Sequence, residues 1–227
     1  MNKFFNMDNT FFSFMSRVAD LMLLNILFII CCLPVVTIGS SITAMYYVTL
    51  KMVRNEESYI AKSFFKSFRE NFKQSTILWL IMLVAGILIF IDFNIVNQIQ
   101  STLTTIVRYG LYFITFIYLL ILIYLFPVLS KFYNSIKNTF QNALLMSIRH
   151  LPFSILLIVI WIAPIVITFI HPTIFMYGLL VWILIGFSLL SFLCSLLLVK
   201  VFDHYMPKEE EATPKEDGAI PKEKDVI

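Results

Sequence analysis

Long apolar runs separated by short polar stretches dominate the chain. A bilayer-spanning helix needs about 20 mostly apolar residues. Thr76 to Ile95, Ile106 to Ser130, Leu151 to Ile170 and Ile174 to Val199 meet that length, and their only charges, Asp92 and Arg108, lie near span ends. Val18 to Val36 is a fifth run, with Asp20 at its edge. It is too long for a signal-peptide core and lacks a small-residue cleavage pattern, so it reads as a retained span.

Ile38 to Val53 is shorter. It follows Leu33-Pro34-Val35-Val36-Thr37-Ile38-Gly39, where proline stops a helix and glycine permits a sharp turn. Its length reaches about 24 Å against a hydrocarbon core of about 30 Å. Two readings stand: a short second span paired with the first, or a first span that bends and re-enters.

Ser58 to Ser75 carries Ala61, Phe64, Phe65, Phe68 and Phe72 at helical spacing, and Lys62, Lys66, Arg69 and Lys73 beside them. The two stripes are centred roughly 110° apart on a helix, as for a segment lying at a lipid surface with Phe sunk and Lys reaching anionic headgroups. Residues 64–75 also align without a gap with 132–143, matching three aromatics, one Ser and one basic residue. Each copy precedes a pair of spans, which suggests a repeat of surface helix followed by membrane hairpin. The expected surface helices cover about 58–74 and 131–143.

Composition sharpens this picture. Of 227 residues, 59% are hydrophobic and 14% charged, with a mean hydropathy of +0.87. Soluble domains run near 45–50% apolar and about 25% charged. The formal charge of +3 is too small to argue for nucleic acid. Three Cys in no paired pattern beyond Cys31-Cys32 exclude a disulfide framework and a zinc site.

Charge sets the topology. Lys and Arg number two in residues 1–20, six in 51–75, one in 92–108, three in 131–150 and five in 200–227. Six spans put both termini and all but one basic residue in the cytoplasm; five spans would place three outside. The bias of cationic loops to the cytoplasmic side prefers six. The fold expected is therefore an all-α, multi-pass bundle of the cell membrane over residues 1–206. Its spans fall near 18–36, 38–53, 75–95, 106–130, 151–171 and 174–200. A disordered, charged cytoplasmic tail follows at 207–227.

Candidate chemistry is sparse. A charge deep in a bilayer marks a functional site by default, and no span has one. This argues against proton-coupled transport and against a voltage-sensing ladder. Motifs of the kind H-E-x-x-H, G-x-S-x-G and the P-loop are missing. No catalytic residue, metal site or cofactor is expected. Asn25 remains, as an amide within a span that needs a partner helix. So does the turn formed by Pro34, Thr37, Gly39 and Ser40. It reads first as a hairpin: Pro ends one helix, Thr or Ser caps the next, and Gly allows close packing. A second reading is an unwound element lining a solute path. Lys62, Phe65, Lys66, Phe68, Arg69, Phe72 and Lys73 form the candidate surface for lipid or a partner.

Asn25, the Leu33-to-Gly39 element, Ala44-Met45-Tyr46-Tyr47 and Asn71-Phe72-Lys73-Gln74-Ser75 together resemble the YesL-like family of bacterial membrane proteins. The likeness runs over nearly the whole chain except the acidic tail. The resemblance implies no catalytic residues. It implies an association with carbohydrate-uptake systems, and hence transporter components as partners. The expectation is a non-enzymatic accessory or regulator of solute uptake that sits among anionic lipids. The alternative is a facilitative transporter or channel for a small neutral solute, lined by Asn25 and the Thr37–Ser41 turn.

Overall fold

The computed structural model describes residues 5–56, 59–99 and 102–205. The expected tail at 207–227 lies outside them. The described residues form helices joined by short links, with no strand among them. The helices are α1 (Phe5–Cys32), α2 (Ile38–Val53), α3 (Ile60–Gln98), α4 (Thr102–Lys131), α5 (Ile136–Arg149), α6 (Leu151–Ile170), α7 (Pro172–Val181) and α8 (Phe187–Asp203). A 3-10 turn, Val35–Thr37, joins α1 to α2, and a π turn, Trp182–Gly186, joins α7 to α8. Five stretches are long and apolar enough to cross a membrane: Phe11–Cys32, Ile60–Gln98, Thr104–Lys131, Leu151–Ile170 and Pro172–Asp203. α2 is shorter than these at 16 residues, and its ends fall where the pattern put them.

Two expected elements take a different form. Of the segment expected at 58–74, the described part from Ile60 onward is not a separate surface helix. It runs without a break into the following span, giving a helix of 39 residues, about 58 Å long and nearly twice the hydrocarbon thickness. No proline or glycine lies between Ile60 and Trp79 to interrupt it. The segment at 131–143 starts late. Residues 132–135 are irregular, and α5 begins only where the Ser135 hydroxyl accepts from Asn138 N–H at 3.3 Å. The two aligned segments therefore adopt different structures.

α2 is the hub. It runs antiparallel along the first half of α3, and α1, α4 and α8 pack on its other faces. Its C-terminus closes with Asn55 in the left-handed region (φ 55°), the conformation that ends helices at Gly or Asn. Glu56 N–H then bonds Lys51 O at 3.0 Å. Polar contacts gather at this end of the bundle. Arg17 Nη1 donates to Met52 O at 3.0 Å and its Nη2 to Asn55 Oδ1 at 2.7 Å. Arg54 pairs with Asp203, and His150 Nε2 lies 3.1 Å from Tyr205 OH.

Candidate functional site

Asn25 is fully buried on α1 and faces the π turn. A π turn shifts the helical bonding register by one residue, so carbonyls at its edge lose their usual partners. Asn25 Nδ2 donates to Trp182 O at 3.0 Å and to Ile183 O at 2.7 Å, and its Oδ1 accepts from Ser188 N–H at 3.0 Å. One amide thus satisfies three backbone groups, the case for which Asn is suited because it both donates and accepts. Ser188 Oγ closes the contact by donating to Leu21 O at 2.7 Å.

The Pro34 turn is a hairpin whose caps differ from the expected ones. Pro34 is exposed and opens the 3-10 turn. Thr37 precedes α2, but its hydroxyl does not cap α2. It donates back to Cys31 O at 2.6 Å and lies 2.8 Å from Pro34 O, so it satisfies the end of α1 instead. Ile38 onward is regular helix, so the turn contains no long unwound segment. Gly39 is where α2 meets α3. A Cβ there would stand 2.5 Å from Ser75 O and 2.6 Å from Trp79 Cβ. Ser40 Oγ lies 2.7 Å from Ser75 Oγ, which itself donates to Asn71 O at 2.7 Å. Ser40 is therefore the donor of that pair. Trp79 Nε1 donates to Val35 O at 2.9 Å and ties the turn to α3.

Pro34, Thr37, Gly39 and Ser40 belong to one small contact between α1, α2 and α3. Asn25 belongs to another, between α1 and the π turn, and the two share no bond. The Phe/Lys stripe is divided. Phe64 is fully buried against α1 and α2, and Phe68 is half-buried. Phe65 and Phe72 stay exposed at 41% and 40%, beside exposed Lys62, Lys66, Arg69 and Lys73.

Several contacts escaped sequence reasoning. Thr49 Oγ1 on α2 lies 3.1 Å from Ser191 Oγ and 2.8 Å from Ser195 Oγ on α8, all buried. The spacing of Ser188, Ser191 and Ser195 is the signal that could have found it, because small residues at helical intervals mark close helix–helix approach in membranes. An apolar chamber of about 370 Å³ inside the bundle carries no such signal, because its wall is assembled from scattered aromatics.

An all-helical bundle of membrane type, joined by buried hydroxyl and amide contacts, is the class these features define. Residues 21–93, which include Asn25, the Pro34 turn and the basic face of α3, match the family described as "Protein of unknown function, DUF624". The chain is also similar to the "Uncharacterized protein YesL" of Bacillus subtilis (strain 168), with 30% identity over 125 residues. That match covers 55% of this chain and 58% of the relative, a little over half of each. Both likenesses are to proteins without an established activity, and each covers only part of the chain. No solved structure matches it.

Proposed function

We propose that this chain is a non-enzymatic, multi-pass protein of the cell membrane that serves as an accessory or regulator of carbohydrate or solute uptake. The observation that carries it is the first half of α3. Lys62, Lys66, Arg69 and Lys73 stand exposed with Phe65 and Phe72 on a helix braced by α2. A cationic, aromatic face held on a rigid element suits docking to a partner's acidic surface and to anionic headgroups. The direction toward carbohydrate uptake rests on the YesL-like resemblance.

In this reading both termini are cytoplasmic. The bonds of Arg17 to Met52 and Asn55, and of Arg54 to Asp203, support an even number of crossings, because they gather the base of α1 and the end of α8 at one end of the bundle. A cysteine at position 6, in a background lacking Cys31, Cys32 and Cys194, should resist an impermeant thiol reagent applied to intact cells. Labelling there would overturn the topology.

The functional test is capture from native membranes in mild detergent. The wild type should bring down a transport-system subunit in stoichiometric amount, and K62E/K66E/R69E/K73E should lose it. Recovery of free homo-oligomer alone, or an undiminished yield with the variant, would refute the docking role. The facilitative-transporter reading draws no lining from Asn25 or Ser40, whose polar atoms are engaged within the protein. Solute flux in liposomes that falls with Asn25→Leu would restore it.

A further inference from the structure

The apolar chamber takes one aromatic from each of six helices: Phe28, Tyr46, Trp79, Phe126, Trp161 and Phe187. Its volume of about 370 Å³ falls in the range of small-molecule sites. The polar atoms on its rings are engaged within the protein. Trp161 Nε1 donates to Tyr46 OH at 3.2 Å, Tyr46 shares a hydrogen bond with Cys194, and Trp79 Nε1 donates to Val35 O. Nothing in the wall awaits a charged or hydrogen-bonding ligand.

The chamber is open on one side. Its most exposed lining residues are Ile162 and Ile165 of α6, at 43% and 42%. They continue a stripe of exposed apolar surface along α6 that includes Ile155, Val159 and Val166. In a bilayer the mouth therefore meets hydrocarbon rather than water. An empty apolar space forfeits dispersion contacts on every wall, and apolar chambers of this kind stay dry. A volume of about 370 Å³ suits a flexible hydrocarbon chain better than a helix, which is about 10 Å across.

We propose that this chamber binds one acyl chain of a membrane phospholipid, inserted past Ile162 and Ile165 and packed against Trp79, Phe126 and Trp161. The site depends on membrane embedding and not on the docking role of α3.

The test uses the full chain reconstituted in vesicles of dioleoylphosphatidylcholine or of dioleoylphosphatidylglycerol, extracted in mild detergent and weighed by native mass spectrometry. The wild type should retain one phospholipid of either headgroup. Leu122→Phe with Ile158→Phe, which fills the chamber, should lower that occupancy at least tenfold. Leu88→Phe, on the exposed face of α3, should leave it unchanged. In a Trp182→Phe background, where emission comes from Trp79 and Trp161, mid-chain brominated lipid should quench the wild-type wall at least twice as strongly as the filled one. If circular dichroism shows that the double variant has lost helix, Ile162→Trp at the mouth must lower retention instead.

Equal retention by the wild type and the filled variant would overturn the proposal, as would a wild type that retains no lipid. Retention of phosphatidylglycerol alone would point to a headgroup site elsewhere and also overturn it. So would a lipid-free wild-type dimer that dissociates on filling, since a second copy would then be the occupant.

Discussion

Eleven of the sixteen residues of α2 are buried, and Ser40, Ser41, Thr43 and Thr49 are among them. α6 has twenty residues and no charge, yet only Ser154, Leu157 and Thr168 are buried. The more apolar helix is the more exposed one, and two of its three buried residues are hydroxylated. A soluble protein would invert both facts. Lipid tails are as apolar as leucine, so burial in protein gains little for an Ile or Val; close approach and hydrogen bonds decide which face meets another helix. α2 is built for contact, and α6 for solvation by lipid.

The largest expected effect that could break this contrast is at Gly39. Gly39→Ala drives a methyl into the backbone of α3 and should cost about 1–3 kcal/mol, the usual range for overpacking. Gly110→Ala on α4, where a Cβ meets nothing within 4 Å, should not lower stability. Thermal melts in detergent measure both, and equal effects would remove the distinction between contact and lipid faces.

Asn25→Leu should come next, at about 1–3 kcal/mol, because it leaves the buried Ser188 N–H, and the part-buried Trp182 and Ile183 carbonyls, without their side-chain partner. Thr49→Val removes one hydroxyl from the Ser191–Ser195 contact and should cost about 0.6 kcal/mol, the average for side-chain bonds between membrane helices. A cost above that of Asn25→Leu would mean that α8 is held by its serines rather than by the π-turn clamp. Ile167→Val on α6, at 54% exposure, should change the melting point little, because its surroundings are hydrocarbon in either case.

A modest, pH-dependent effect is expected at the polar end of the bundle. Burial, then His204 and Arg149, lower the His150 pKa below its ordinary 6.5. The folded chain therefore takes up this proton less readily than the unfolded chain. The contribution to stability is complete above pH 6.5 and is lost as pH falls through the folded value. A modest drop in melting temperature below pH 6.5 should vanish in His150→Gln. An unchanged pH profile in that variant would assign the dependence to another group.

Legibility followed the same division. The ends of α2 were readable because Pro34 and the polar Arg54-Asn55-Glu56 stretch punctuate the backbone directly. Asn25 was readable as a residue in need of a partner, because an amide in hydrocarbon must bond something. Its partner was not, since the π turn that freed Trp182 and Ile183 leaves no composition signal. Phe64 and Phe65 occupy neighbouring positions with the same side chain, yet one is fully buried and the other 41% exposed. Only the placement of α1 and α2 against α3 separates them.

The sequence by itself determined that the chain is helical, rich in membrane-crossing segments and strongly polarised in charge, because apolar run length and the cost of buried charge are local properties. Tertiary structure decided which faces meet protein and which meet lipid. It joined the segment at 60–74 to the span that follows, and it drew six scattered aromatics around one chamber. Hydrophobicity does not distinguish a lipid-facing isoleucine from a protein-facing one; that choice depends on small residues and hydroxyls finding their counterparts across helices far apart in the chain.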